Sequence, residues 1–154
     1  MTIRIERVGS EAAETVLVSV ERLLRELGEE GEEAGVRDHA ELARVWREEE
    51  PRCLALLAID ERGDCVGALT LVETFAIYAG GRHGIINEMY VAPEQRSAGT
   101  GARLIAEAAA VGRERGWRRI EVTAPEAPRW SRTRAFYECQ GFVFAGPKLK
   151  LPLR

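Results

Sequence analysis

The sequence predicts an α/β (α+β) fold, a mixed central sheet with helices packed on it. Three features predict it. Apolar residues recur at helical spacing near the N-terminus, two apolar runs flank the turn-forming "DERGD", and the stretch Asn87 to Ile105 passes from an alternating strand pattern through Pro93, Gly99 and Gly101 into a helix pattern. At 154 residues the chain has the size of one ordinary domain, so residues 1–154 are expected to form a single one.

The elements follow in order. "IRIERV" alternates apolar and charged side chains (Ile3, Ile5, Val8), as a first strand does. Val16, Val20, Leu23, Leu24 and Leu27 then lie on one helix face, and Gly28 provides the stop. The Glu- and Gly-rich stretch Glu29 to Gly35 separates this helix from a second, which Asp38 and Glu41 open as a capping box and Pro51 ends. Arg52 to Phe75 reads as a hairpin, and Gly80, Gly81 and Gly84 mark a second turn before a strand from Ile85 to Val91. Leu104, Ile105, Ala108 and Val111 give the next helix its apolar face, stopping at Gly116. "RRIEVTA" (Arg118 to Ala124) is a strand, Ser131 to Gln140 a short helix, and "FVFAGPKLKLPL" terminal strand material.

Composition narrows the function classes. The chain is 45% hydrophobic and 31% charged, and no apolar run approaches the roughly 18 residues of a membrane span, so a soluble protein is expected. "MTIRIERVG" lacks the apolar stretch of a signal peptide, which makes the cytoplasm the expected location. A formal charge of -3 argues against nucleic acid as a partner. Cys53, Cys65 and Cys139 are odd in number and lack C-x-x-C spacing, so neither a disulfide framework nor a metal site is expected.

The Asn87 to Ile105 junction carries the chemistry. The first N–H groups of a helix lack intrahelical partners and the aligned peptide dipoles make that end positive, so it suits an anion. Gly99 and Gly101 let the backbone approach a bulky pyrophosphate, Arg96 adds a positive charge, and Ser97 and Thr100 offer hydroxyls. These residues read as a diphosphate cradle. A dinucleotide-binding domain would place Gly99-Thr100-Gly101 in G-x-G-x-x-G and Glu121 on a ribose, but Leu104 replaces the third glycine and no βαβ unit leads in, so that reading is rejected.

"MYVAPEQRSAGTGARLI" resembles the acetyl-CoA-binding segment of the GNAT superfamily of N-acetyltransferases, where a strand ending in Leu-x-Val-x-Pro leads into Arg-x-x-Gly-x-Gly/Ala and a long helix. "RAFYECQGF", Arg134 to Phe142, is similar to the family's Phe-Tyr-Glu-x-x-Gly-Phe segment. The resemblance implies a mostly antiparallel central sheet and acetyl-CoA as co-substrate, with no metal. It implies that the pantetheine arm lies along Met89, Tyr90 and Val91, splayed from a neighbouring strand at a bulge. The amides of Arg96, Ser97, Ala98, Gly99, Thr100, Gly101 and Ala102 would then hold the pyrophosphate. It also implies direct attack by an acceptor amine, with a backbone N–H near Met89 or Tyr90 stabilising the oxyanion.

Tyr137 matches the family's general acid, and a phenol of pKa about 10 is protonated at neutral pH while a thiol of about 8.5 leaves. Glu88 is the first candidate for general base and Glu73 the second. Trp130 stands where many members carry a cofactor-contacting Asn, with Ser131 and Thr133 nearby as substitutes. Tyr78, Arg82 and His83, in the loop "TFAIYAGGRHG", are candidates to line an acceptor pocket together with Glu73. Glu29, Glu30, Glu32 and Glu33, with Glu48, Glu49 and Glu50, are candidates to attract a cationic amine. Trp46 and Trp117 read as core or dimer contacts. The acceptor is expected to be a small-molecule or peptide amine, and family habit suggests a homodimer. The competing function is a non-catalytic acyl-CoA sensor or interaction module with the same fold.

Overall fold

A computed structural model of the chain describes residues 2–28, 38–124 and 128–153. Its elements are β1 (Arg4–Val8), α1 (Ala13–Leu27), α2 (His39–Glu49), β2 (Cys53–Ile59), β3 (Cys65–Ala76), β4 (Gly81–Val91), α3 (Thr100–Arg115), β5 (Ile120–Val122) and α4 (Ser131–Cys139). Glu29, Glu30, Glu32 and Glu33 lie outside the described residues.

The strands form one sheet in the order β1-β2-β3-β4-β5, antiparallel from β1 to β4 and parallel between β4 and β5. Local chemistry sets the turns. The Asp60 carboxylate accepts from the N–H groups of Arg62 and Asp64, both at 2.9 Å, and so closes the β2–β3 hairpin at "DERGD". Asp38 accepts from the Glu41 N–H at 3.0 Å and caps α2.

β2 is covered on both faces, which explains its unbroken apolar run. Alternation sends Leu54, Leu56 and Ala58 to one side with Leu69, Leu71 and the α3 residues Leu104, Ile105, Ala108 and Val111. Ala55, Leu57 and Ile59 go to the other side, against Val16 and Val20 of α1. Leu56, Leu69 and Leu104 are fully buried, and each such side chain contributes roughly 2 kcal/mol of transfer free energy. Trp46 packs on the α1 side and donates Nε1–H to the Cys53 carbonyl at 3.1 Å, a core role.

Three element expectations need correction. β4 begins at Gly81 rather than Ile85, so Gly84 lies inside the strand, where the Trp117 ring approaches its backbone: a Cβ there would fall 2.2 Å from Trp117 Cζ3. β5 is shorter than Arg118 to Ala124, spanning Ile120–Val122. The segment Phe142 to Leu153 forms no strand. Gly146 at φ +129 breaks its extended run, and Pro147 and Pro152 lack the N–H a ladder needs. Val143, Phe144, Leu149, Leu151 and Leu153 are accordingly exposed. Among the described residues no helix is long and apolar enough to cross a membrane.

Candidate functional site

β5 accompanies β4 for three residues: Gly84, Ile85 and Ile86 pair with Ile120, Glu121 and Val122. Beyond Ile86, β4 continues along β3, but no pairing with β5 is found among the described residues, and a cleft of about 920 Å³ opens there. One wall is Asn87 to Val91, and the other is Val122 and Thr123 with Trp130, Thr133, Phe136 and Tyr137. The parting coincides with a β-bulge. Leu69 faces Met89 while Leu71 faces Ile86, so Thr70 alone opposes Asn87 and Glu88. A residue added to one strand bends it and raises the local twist.

The start of α3 closes one end of the cleft. Ser97 (φ +67) and Gly99 (φ +84) take left-handed backbone conformations, and among the described residues no side chain caps the first N–H groups of the helix. Those amides and the positive dipole end are free to receive an anion. At Gly101 a Cβ would come 3.0 Å from Phe136 Cζ and 3.1 Å from Met89 Cε, so glycine there keeps the cleft floor open. Ser97 and Ala102 line the cleft, and Ala98 is exposed in the loop before the helix. The expected Thr100 hydroxyl is corrected: its residue is 1% exposed and Oγ1 is buried without a hydrogen-bond partner among the described residues. What Thr100 can offer a ligand is its backbone N–H.

Arg96 stands at the mouth, donating Nε–H to the Val91 carbonyl at 2.9 Å and Nη2–H to both oxygens of Glu26 at 2.7 Å. Its guanidinium lies 6.0 Å from the Tyr90 ring centre. Tyr137 is 8% exposed, packed edge-on between Phe136 and Phe142 with ring centres 5.4 and 5.5 Å away. Its hydroxyl reaches Met89 Sδ at 3.7 Å. Burial pushes the phenol up to about 12, so Tyr137 holds its proton at neutral pH.

The carboxylates divide into two groups. Glu26 pairs with Arg96, Glu121 with His83 and Arg119, and Glu73 with Arg115. Glu88 forms no ion pair among the described residues; its carboxylate accepts from the Thr70 hydroxyl, and its N–H donates to Thr70 Oγ1 at 3.0 Å. Glu88 lines the cleft with Met89, Tyr90, Val91 and Tyr137.

Glu73, Tyr78 and His83 are not brought to this cleft. Glu73 accepts from Trp117 Nε1–H at 2.6 Å, under the opposite end of β4. His83, 2% exposed, meets Glu121 at 3.1 Å, and the Tyr78 hydroxyl reaches the same carboxylate at 3.2 Å. Thr133 and Trp130 line the cleft, whereas Ser131 lines a neighbouring cavity of about 1000 Å³ over β5 and α3. Sequence reasoning missed Thr70 and Glu26; neither lies at a position that periodicity singles out, because the register of β3 on β4 brings the first to the site and the approach of α1 the second.

A family model described as the acetyltransferase (GNAT) family matches residues 18–142. The chain belongs to the GNAT acetyltransferase family. No curated protein sequence matches it. Solved structures share the GNAT fold. One is an aminoglycoside acetyltransferase from an uncultured soil metagenomic sample, at TM-score 0.80 and 21% identity over 100% of both chains. Another is an acetyltransferase of Trypanosoma brucei, at 0.75 and 21% over 99% of this chain and 100% of that one. A third is the ribosomal-protein-alanine N-acetyltransferase of Brucella melitensis biovar Abortus 2308, at 0.72 and 21% over 99% of each. GNAT membership makes acyl transfer the general chemistry, and the family generally uses acetyl-CoA.

Proposed function

We propose that this chain is a single-domain cytoplasmic N-acetyltransferase that moves the acetyl group of acetyl-CoA to a primary amine by direct attack in a ternary complex. The observation that carries the reading is one cleft that joins an uncapped helix N-terminus, a stretch of β4 that β5 does not pair among the described residues, and a buried, protonated tyrosine. The residues present fit acetyl-CoA: the amides from Arg96 to Ala102 suit its pyrophosphate, and the Met89 to Val91 main chain suits its amide-bearing pantetheine arm. Bound acetyl-CoA supplies an acetyl group on a thioester whose sulfur leaves as a thiolate.

The chain's own residues do the rest. Glu88, directly or through one water, takes a proton from the acceptor ammonium and frees the nitrogen lone pair to form the C–N bond. A backbone N–H at Met89 or Tyr90 holds the charge that develops on the carbonyl oxygen. As the C–S bond breaks, the Tyr137 hydroxyl gives its proton to sulfur. The phenolate then recovers one from the acylated nitrogen, so the products are the amide and the free thiol with one proton released. Glu73 becomes a weaker candidate for base, since an indole and Arg115 already engage it.

The acceptor class draws on neighbours that share only the fold, among them acetyltransferases named for aminoglycosides and for a ribosomal-protein alanine. Both names denote amines. A homodimer is the proposed assembly, supported by Phe75, Ile77 and Tyr78 exposed near the β3–β4 turn; a monomeric mass in solution scattering would remove it.

Calorimetric titration with acetyl-CoA, with NADH as control, tests the reading together with a thiol-release assay over a panel of amines. The expected result is saturable binding of acetyl-CoA alone and turnover with at least one amine. In a Tyr137→Phe variant turnover should fall by roughly 100-fold with binding intact. No binding would withdraw cofactor and acid together, and binding without turnover on any amine would favour an acyl-CoA sensor.

A further inference from the structure

The bulge in β4 leaves a specific chemical signature at Thr70. In a regular ladder each β4 residue would face one β3 residue, but Thr70 opposes both Asn87 and Glu88. Its side chain makes two complementary bonds to the second of these. The Glu88 N–H donates to Thr70 Oγ1 at 3.0 Å, and the Thr70 hydroxyl donates to Glu88 Oε2. A hydroxyl carries one donor hydrogen and accepts through its lone pairs, so the two bonds assign the roles without ambiguity.

We infer that Thr70 is a positioning residue: it fixes the Glu88 carboxylate at the β4 bulge so that Oε1 takes the proton of the acceptor amine. The inference rests on the base role proposed for Glu88. Three observations support it. Glu88 Oε2 is occupied by the hydroxyl while Oε1 has no donor among the described residues. Among the described residues no cation pairs with Glu88, whereas Glu26, Glu73 and Glu121 each meet an arginine. A hydroxyl therefore orients the base without neutralising it, which an arginine in the same place would do. Finally, Glu88 and Tyr137 line the same cleft. Base and acid thus face one cleft, where a proton can be removed from nitrogen and another delivered to sulfur.

The test compares the full-length protein with Thr70→Val, Thr70→Ser, Glu88→Gln and the Thr70→Val/Glu88→Gln double variant. Two readouts are used: steady-state acetylation of an amine turned over in the thiol-release panel, and isotope-edited infrared spectra of the Glu carboxylates. The difference between wild type and Glu88→Gln isolates the Glu88 band. Thr70→Val is expected to shift that band and to lower kcat about tenfold with KM for acetyl-CoA within about twofold of wild type, while Thr70→Ser restores both. In the Glu88→Gln background Thr70→Val should have no further effect on kcat. An unshifted band in Thr70→Val overturns the inference whether or not any amine is turned over. So does an unchanged kcat in Thr70→Val when Glu88→Gln is slow. Unchanged turnover in Glu88→Gln instead removes the base role itself, and the positioning role falls with it.

Discussion

The indole of Trp117 donates to the Glu73 carboxylate at 2.6 Å while its ring occupies the space that a side chain on Gly84 would need. The same ring lies 3.0 Å from a Cβ built on Gly112, so one residue ties β4, α3 and β3 together. Gly84→Ala is expected to destabilise the fold by about 2 kcal/mol or more, because ring and strand cannot both stay in place. Trp117→Leu in the same chain should recover part of that loss. Urea unfolding of the two single variants and the double variant measures the coupling, and strictly additive losses would show that ring and strand do not collide.

Tyr137 links the site to pH. Its phenol rises to about 12 on folding because burial disfavours the phenolate. A folded value above the unfolded value of about 10 means that the contribution is complete below pH 10 and is lost as pH rises through 12. Two units correspond to roughly 3 kcal/mol. The stability difference between wild type and Tyr137→Phe should therefore be flat at neutral pH and shrink above pH 10 in denaturant titrations. A flat difference across the alkaline range would count against the buried phenol.

At the mouth, Glu26 competes with any anion for Arg96. The pair is partly exposed, at 33% and 46%, which limits its strength to about 1 kcal/mol or less. Glu26→Gln is expected to tighten acetyl-CoA binding about threefold, and Arg96→Gln to weaken it by a similar factor. Both effects should fade as salt is raised, which calorimetry at two ionic strengths would reveal.

His39 joins the start of α2 to α1 through Glu21 at 2.6 Å and Glu14 at 3.0 Å. Hydrogen bonds to Glu21 first, then to Glu14, raise its pKa above the ordinary value of 6.5. The stabilisation is complete below about pH 6.5 and disappears as pH climbs through the raised value. An NMR titration should find the imidazole protonated above pH 6.5, and Glu21→Gln should bring the midpoint down. A midpoint indifferent to Glu21 would remove the contact.

Features with local causes were legible in the sequence. The Asp38 cap, the "DERGD" turn and the glycine junction are each written within a few residues, and Tyr137 was found through a resemblance that spans "RAFYECQGF". Features with distant causes were not. Gly84 read as a turn because its reason, Trp117, lies beyond the following helix. Thr70 looked like any strand residue, since the register that sets it against Glu88 belongs to two chains of pairing rather than one. Glu73, Tyr78 and His83 were placed near the chemistry because a strand pattern does not tell which end of β4 opens. The alternation in "KLKLPL" describes a segment suited to a strand, but no edge receives it in the described residues.

The parting of β4 from β5 at Ile86 also divides the sheet into an interlocked end and an adaptable one. On one side of that point Gly84, Gly112 and Trp117 constrain one another, so a change in any of them is felt by the other two. On the other side Trp130, Arg132 and Thr133 border the opening from α4 and the turn that precedes it. Exchanges there meet none of the three interlocked residues, so a substitution can reshape the opening and leave the closed end intact.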